Sequence, residues 1–475
     1  MELDADICYA AVKSRDPRFD GRFFTGVKTT GIYCRPVCPA VTPRRKNVAF
    51  YPCAAAAEKA GFRPCKRCRP ETSPGTWAWL GTSATVSRAL RYIGEGCLDE
   101  GGVEDLAGRL GMSGRHLTRL FEEHLGAPPI AVAQTRRVHF ARNLIQDTGL
   151  SMASIALAAG FGSVKRFNVL IKQVFGATPA QLRQRAATVP AANGNLAFRL
   201  AYRPPFEWEP LLEFLEGRAI PGVEAVAGGS YRRTIEVNGT PGTLEVTPVP
   251  GRDQLLLRVH LPALDGVIGL VSRVRRMFDC GADPAVIGHH LAADPLLAPL
   301  VARRPGLRLP SAWDPFEMTV RAILGQQISV AGATTIAGRL VARLGTPLSC
   351  PREGLTHLFP SPAAVAGGDL SGLGLTAGRV ATVRTLAAEI AAGRLILDAP
   401  RGVEEFVERM VALPGIGPWT AQYVAMRALG EPDGFPASDL GLKHAAPGVD
   451  LAARSESWRP WRSYAALHLW AGLND

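Results

Sequence analysis

Four cysteines in two close pairs, Cys34-x3-Cys38 and Cys65-x2-Cys68, constrain this chain more than any other feature of its sequence. Within each pair the two sulfurs can reach one ion, and four soft thiolates call for tetrahedral zinc. The segment that carries them must therefore fold back on itself around a metal. The remaining cysteines, at 8, 53, 97, 280 and 350, bring the count to nine. An odd number without an export signal argues against a disulfide framework. Taken alone, a closed tetrathiolate site is usually scaffolding.

At 475 residues the chain exceeds what one hydrophobic core organises, which suggests about three domains, give or take one. With 47% hydrophobic and 20% charged residues, the composition excludes disordered and fibrous classes. No apolar run approaches the roughly 18 residues of a membrane span, so neither a membrane partner nor any compartment but the cytoplasm is expected. The net charge of +12 is unevenly placed. Residues 1–70 hold 14 basic against 6 acidic residues, residues 71–190 hold 13 against 9, and the rest balance at 27 each. A basic front end favours a polyanionic partner, nucleic acid first, through phosphate neutralisation and counterion release.

Breaker-rich stretches at Pro70–Gly75 and Ala186–Asn195 read as linkers, and a further boundary is expected near Arg303–Gly306. Between the linkers the sequence repeats itself. Ala107-x3-Gly111 returns as Ala156-x3-Gly160, and Leu120-Phe121 with Gly126 and Pro129 returns as Leu170-Ile171 with Gly176 and Pro179. Each copy reads as helix, glycine turn, serine N-cap (Ser113, Ser163) and a second helix with three-four apolar spacing. That is a helix-turn-helix, twice. Alternation in Thr234–Val237 and Gln254–Val259 indicates a small antiparallel sheet, after which a helical pattern is expected beyond Arg303.

The first cysteine pair lies in Thr29–Cys38 and the second in Gly61–Cys68, and over roughly residues 4–70 both segments resemble the Ada family of methylated-DNA repair regulators. The resemblance implies that Cys34 takes a methyl group from a DNA phosphotriester while remaining a zinc ligand with Cys38, Cys65 and Cys68. Metal coordination keeps such a sulfur deprotonated at neutral pH. Methylation would remove one negative charge beside Arg35, Arg44, Arg45, Lys46, Arg63, Lys66, Arg67 and Arg69, lowering repulsion from phosphates and switching on DNA binding. Residues 85–185, with Ala159-Gly160-Phe161 and Phe175–Pro179, resemble the AraC-type DNA-binding domain. On that resemblance Arg115, His116 and Arg119 of the first recognition helix, and Lys165, Arg166, Asn168 and Lys172 of the second, face a major groove.

Leu413–Ala421 reads as helix, tight glycine turn, helix, with Gly415 and Gly417 letting the backbone approach a phosphate and Pro418 suited to a first helical position. Some twenty residues on comes Pro436–Lys443 with Asp439. Together with Tyr202–Trp208, Arg321–Ser329 and Trp461–Trp470, these segments resemble the AlkA type of DNA-3-methyladenine glycosylase II, in the helix-hairpin-helix superfamily, from about residue 196 to the end. The resemblance implies that Asp439 stabilises the cationic sugar or positions water, and that Trp419, Tyr423, Trp470 and Phe214 line the pocket for a flipped base. Aromatic faces would favour a cationic alkylated base by roughly 0.5–2 kcal/mol. Trp419 stands where strand-cleaving members carry a lysine, so base removal without strand cleavage is expected. No cysteine follows Cys350, which excludes a C-terminal iron–sulfur cluster. Gln327 replaces the apolar wedge of relatives, and no Pro-Cys-His-Arg acceptor motif occurs.

The expected architecture is multidomain and mainly α: a small zinc domain (1–75), a double helix-turn-helix domain (83–187), an antiparallel α+β domain (195–304) and an all-α helix-hairpin-helix glycosylase domain (305–475). The expected function combines excision of alkylated bases with phosphotriester demethylation and transcriptional control. One zinc is the expected cofactor. Damaged duplex, promoter DNA and RNA polymerase are the expected partners of a monomer. The alternative is a transcription regulator whose glycosylase half only holds DNA.

Overall fold

In the zinc region the chain turns sharply at Gly31, where φ is +63°, and folds strand Phe24–Val27 onto Ile32–Cys34. The computed structural model describes residues 4–74, 84–184, 195–399 and 401–473. Contacts divide the chain into two units: Met1–Pro204 with Val249–Arg275 and Cys280–Asp283, and Pro205–Pro248 with Arg276–Asp279 and Pro284–Asp475. Of the expected linkers, Gly75 and Ala186–Gly194 lie outside the described residues. Among the described residues no helix is long and apolar enough to cross a membrane.

The first unit begins with a four-stranded sheet in the order Val48–Tyr51, Phe24–Val27, Ile32–Cys34, Arg63–Pro64. The last two strands are parallel and the others antiparallel. Helix Ala54–Lys59 follows, and its Ala57 packs with Phe24 and Tyr33. Its other alanines, Ala55 and Ala56, share a core with Leu106, Leu117, Phe121 and Leu125 of the next region. Small side chains let this helix approach closely, so zinc region and helical region bury one apolar surface between them.

Both helix-turn-helix copies form as their sequence repeat requires. Helix Val103–Arg109 turns at Gly111 (φ +74°) into Gly114–Leu125, and Met152–Ala158 turns at Gly160 (φ +73°) into Val164–Phe175. Ser113 caps the first recognition helix by accepting from the His116 amide, and Ser163 caps the second by accepting from Arg166. Helix Pro129–Asp147 joins the copies, and its Phe140 stacks on Phe198 of an antiparallel strand pair, Asn195–Ala201 with Gln254–His260.

The second unit contains a meander, Glu224–Ala227, Ser230–Val237 and Thr240–Pro248. Both hairpins close on two residues with positive φ, Gly228-Gly229 and Asn238-Gly239, as tight primed turns need. Helix Pro315–Leu324 is buried along nearly its whole length, including Glu317, which pairs with Arg233 at 2.7 Å and Arg321 at 3.3 Å. This helix forms the centre of an apolar core with Ile336, Val383, Phe406 and Val424.

Two features depart from the pattern read in the sequence. The change from strand to helix comes at Val267, the start of helix Val267–Met277, well before Arg303. Inside the helical region, Thr346–Arg352 pairs with Leu355–Leu358 as a hairpin turning at Glu353-Gly354, both with positive φ. The first strand is exposed except at Leu348 and the second buries only its two end residues, so neither carries the burial periodicity by which strands are recognised.

Candidate functional site

In the first unit, parallel pairing aligns Tyr33 with Pro64 and leaves Cys34 and Cys65 at the same strand ends, reinforced by the Cys65 amide donating to the Tyr33 carbonyl at 3.0 Å. A turn closed by the Cys38 amide on the Arg35 carbonyl, 3.1 Å, returns Cys38 to the same point. All four sulfurs lie within 4.8 Å of one another, Cys34 and Cys38 half-buried and Cys65 and Cys68 buried. Four thiolates this close repel strongly unless a cation sits among them, and the donor set and spacing fit one zinc. Backbone amides of Arg35 and Arg67 donate to Cys68 and Cys65 sulfurs at 3.4 Å, further offsetting thiolate charge. Cys34 ends strand Ile32–Cys34 and, like Cys38, is half-buried.

The basic residues around this centre divide into two groups. Arg44, Arg45, Lys46, Arg63, Lys66 and Arg67 are exposed. Arg35 is instead committed inward: it pairs with Asp20, donates to Thr72 at 2.8 Å and reaches the Cys68 carbonyl. Arg69 likewise pairs with Glu71 and Asp147 and bonds Asn143. Arg35 and Arg69 therefore shape the thiolate loop and its seat on helix Pro129–Asp147. Sequence alone cannot separate these roles, because a buried and an exposed arginine read alike. Half-buried Glu58 completes the junction, meeting Tyr33 at 2.8 Å, Thr135 at 2.7 Å and His139 at 3.0 Å.

On the helix-turn-helix pair, Arg115, His116, Arg119, Lys165, Arg166, Asn168 and Lys172 are all exposed. The second recognition helix also exposes Val164 and Val169, apolar residues suited to thymine methyls.

In the second unit, Gly415 has φ +84°, and a Cβ there would stand 1.9 Å from Thr382 Oγ1, so both conformation and space demand glycine. Gly417 is the N-cap of helix Pro418–Leu429, and open space surrounds its Cα. Free amides at this helix start suit a phosphate. Gln326 bolts the Gly325–Ser329 turn to this motif, donating to the Gly415 carbonyl at 3.1 Å and Thr420 at 3.0 Å. Gln327 is exposed with φ +57°, at the tip of that turn.

Asp439 caps helix Leu440–Ala445, accepting from the Leu442 amide at 3.0 Å. Its two oxygens also accept from the indoles of Trp419 and Trp470, each at 2.8 Å. Trp419 stacks on Tyr423, one helical turn on, at 5.3 Å and 7° between planes, and Trp470 stands edge-on to Tyr423 at 6.4 Å. A cavity of about 770 Å³ is lined by these four residues and by Phe214. That volume suits a nucleobase with its sugar, and the half-buried carboxylate meets it at a fixed orientation.

Arginines also line the cavity, a feature absent from the sequence reading. The guanidinium of Arg218 lies 3.8 Å and that of Arg427 4.6 Å from the Phe214 ring centre. Arg427 donates to the Tyr423 hydroxyl at 3.1 Å and the Pro310 carbonyl at 2.6 Å. Burial pushes the Tyr423 phenol up, but Arg427, Arg218 and Arg321 outweigh it and hold the phenol below its ordinary value. The available signal was spacing: Phe214 with Arg218 and Tyr423 with Arg427 are both one helical turn apart.

Comparison with known proteins follows the same division. Residues 7–71 match the metal binding domain of Ada, 106–185 a helix-turn-helix domain, and 197–314 the AlkA N-terminal domain. A probable bifunctional transcriptional activator/DNA repair enzyme AlkA of Mycobacterium tuberculosis is 44% identical over all of this chain and 97% of its own length. DNA-3-methyladenine glycosylase 2 of Escherichia coli is 36% identical over 58% of this chain and 96% of the relative. A 3-methyladenine DNA-glycosylase from Archaeoglobus fulgidus shares the fold of 58% of this chain, covering 97% of that structure, with a TM-score of 0.51 at 23% identity. The chain belongs to the family of bifunctional transcriptional activator/DNA repair enzymes of the AlkA type.

Proposed function

We propose that this chain repairs alkylated DNA in two chemistries and couples one of them to transcription. The second unit is a DNA glycosylase that excises alkylated bases, and the first unit is a zinc-thiolate methyl acceptor joined to a DNA reader. The observation that carries the enzymatic reading is the Asp439 carboxylate, anchored by two indole N–H groups at the wall of an aromatic cavity of nucleobase size.

The second unit's residues divide the work. Gly415, Gly417 and the free amides of helix Pro418–Leu429 hold a backbone phosphate beside the lesion, and Gln327 meets the duplex where the base leaves the stack. The flipped base enters between Trp419, Tyr423 and Trp470. A carboxylate accepts up to about four hydrogen bonds, and Asp439 receives three from protein, leaving room for the sugar cation or a water. Fixed negative charge in a water-poor cleft stabilises positive charge developing at C1′. Without a lysine at position 419, the reaction ends at base release.

In the first unit, bound zinc keeps four thiolates deprotonated, and Cys34 is the nucleophile toward a phosphotriester methyl. Cys38, Cys65 and Cys68 stay ligands. Exposed Arg44, Arg45, Lys46, Arg63, Lys66 and Arg67 hold DNA phosphates, while Arg35 serves the centre from inside through Asp20 and Thr72. Arg115, Arg119, Lys165 and Arg166 grip promoter DNA. The shared core and the Glu58 and Glu71 contacts with helix Pro129–Asp147 support a methyl acceptor and DNA reader that move as one. RNA polymerase as the downstream partner and a monomeric, cytoplasmic protein belong to the same proposal.

The test is incubation with methylated duplex, following free base and protein mass together, in wild type and Asp439→Asn. Base release undiminished in Asp439→Asn would remove this carboxylate from the reaction. A regulator with an inactive glycosylase half would release no base even as wild type.

A further inference from the structure

Gln327 holds a left-handed backbone, φ +57°, at the exposed tip of its turn. That conformation is costly for any residue with a Cβ and persists only where the surroundings enforce it. The enforcement is visible at Gln326, which is tied down at three points. Its backbone amide donates to the Ile323 carbonyl at 3.3 Å. Its side-chain amide donates to the Gly415 carbonyl at 3.1 Å and to Thr420 at 3.0 Å. Its carbonyl accepts from the Arg379 guanidinium. That carbonyl belongs to the peptide plane joining Gln326 to Gln327, and the set of this rigid plane fixes the Gln327 φ. Beyond the tip, Ser329 anchors the chain by capping helix Val330–Leu344, accepting from the Gly332 amide at 3.1 Å. Arg379 lies half-buried in the first turn of helix Ala377–Ala391. Thr382, three residues on and so on the same helix face, is the side chain that a Cβ at Gly415 would strike. One helix face therefore seats both the Gln327 turn and the glycine hairpin.

Resting on the glycosylase reading above, we infer that Arg379 is a positioning residue for base extrusion, holding the Gln326–Gln327 peptide so that Gln327 meets the stack while the hairpin grips the phosphate beside the lesion. A phosphate on the helix Pro418–Leu429 amides fixes the hairpin, and the Gln326 side chain carries that position to the turn. Arg379 keeps the turn from relaxing to the right-handed backbone that a glutamine ordinarily adopts. Relaxation would rotate the Gln327 side chain away from the duplex, and the extruded base would fall back into its stack. Arg379 itself is not among the residues that line the Asp439 cavity. Its effect therefore falls on the opening of the base pair, before any bond to the sugar breaks, and it is largest where that opening costs most.

The experiment places one 7-methylguanine in a duplex, opposite cytosine or mispaired with thymine, and follows base release under single turnover with the full chain at saturating concentration. Saturation removes any loss of affinity from the rates. Arg379→Gln is expected to lose about tenfold on the paired lesion, as a misplaced turn dictates, and no more than about threefold on the mispair, which is already easier to open. Arg379→Lys keeps a donor for the Gln326 carbonyl and should recover part of the paired rate. A 2-aminopurine beside the paired lesion, whose fluorescence rises when its neighbour leaves the stack, should brighten less with Arg379→Gln than with wild type. An arginine that only supports the fold would lower both rates together, and that result overturns the inference. So does an unchanged paired rate, or a slower paired rate with undiminished fluorescence, which would put the loss after extrusion. Each of these leaves the glycosylase reading standing. Wild type that releases no base from either duplex removes both.

Discussion

The indole of Trp470 donates to Asp439 at 2.8 Å across 31 residues of chain, and Gly441 lies close against the pair, where a Cβ would stand 3.0 Å from Asp439 Oδ1 and 3.2 Å from the Trp470 ring. Carboxylate orientation therefore depends on a residue of the last described helix. Trp470→Phe keeps the ring and removes the donor. Base release is expected to fall roughly tenfold, against a hundredfold or more for Asp439→Asn, measured under single turnover with methylated duplex. Equal losses would mean that Trp470 supports the fold and not the carboxylate.

At the zinc centre, mass spectrometry after exposure to methylphosphotriester DNA should show one added methyl group on wild type and none on Cys34→Ser. DNA affinity should rise with the methyl group and stay flat in the variant, because one unit of negative charge near exposed Arg63, Lys66 and Arg67 is removed only in wild type. A methylated Cys34→Ser protein would reassign the nucleophile.

Arg115, Arg119, Lys165 and Arg166 are exposed on the two recognition helices. Changing Lys165 and Arg166 together to Ala should make the slope of log affinity against log salt shallower by about 2, one for each lost phosphate contact. An unchanged slope with lost affinity would point to base reading instead, and an unchanged affinity would remove this helix from the interface.

Arg454 grips Asp294 through both oxygens at 2.5 and 2.9 Å and Trp458 donates at 2.7 Å, which, with the Leu296 amide, holds the carboxyl down at about 2. A depressed folded-state pKa stabilises above the unfolded value near 3.8, and that stability is lost as pH falls toward 2. The Arg454 side chain is 35% exposed, so solvent screening reduces the effect to about 1 kcal/mol. Denaturant melts of wild type and Asp294→Asn should differ by this amount near neutrality and converge in acid. Curves that remain parallel at low pH would rule out the linkage.

Much of this protein is legible along the chain because its signals are local. Two cysteine pairs, a duplicated glycine turn with serine caps and a Gly-x-Gly-Pro helix start each depend on a few neighbouring residues, whose backbone conformations follow from size and hydrogen-bonding capacity. Asp439 and its aromatic partners were named through the resemblance to the AlkA type, since no local pattern links Phe214 or Trp470 to Asp439. Tertiary structure alone decided which basic residues remain outside. Arg35 and Arg69 turn inward to Asp20, Glu71 and Asp147, while Arg44 and Lys66 stay in water, and only packing distinguishes them. It also decided the character of the cavity, bringing Arg218 and Arg427 together against Phe214 although they lie far apart in sequence. Charge acts through space, and its sign at a pocket wall is set by neighbours brought together from distant parts of the chain.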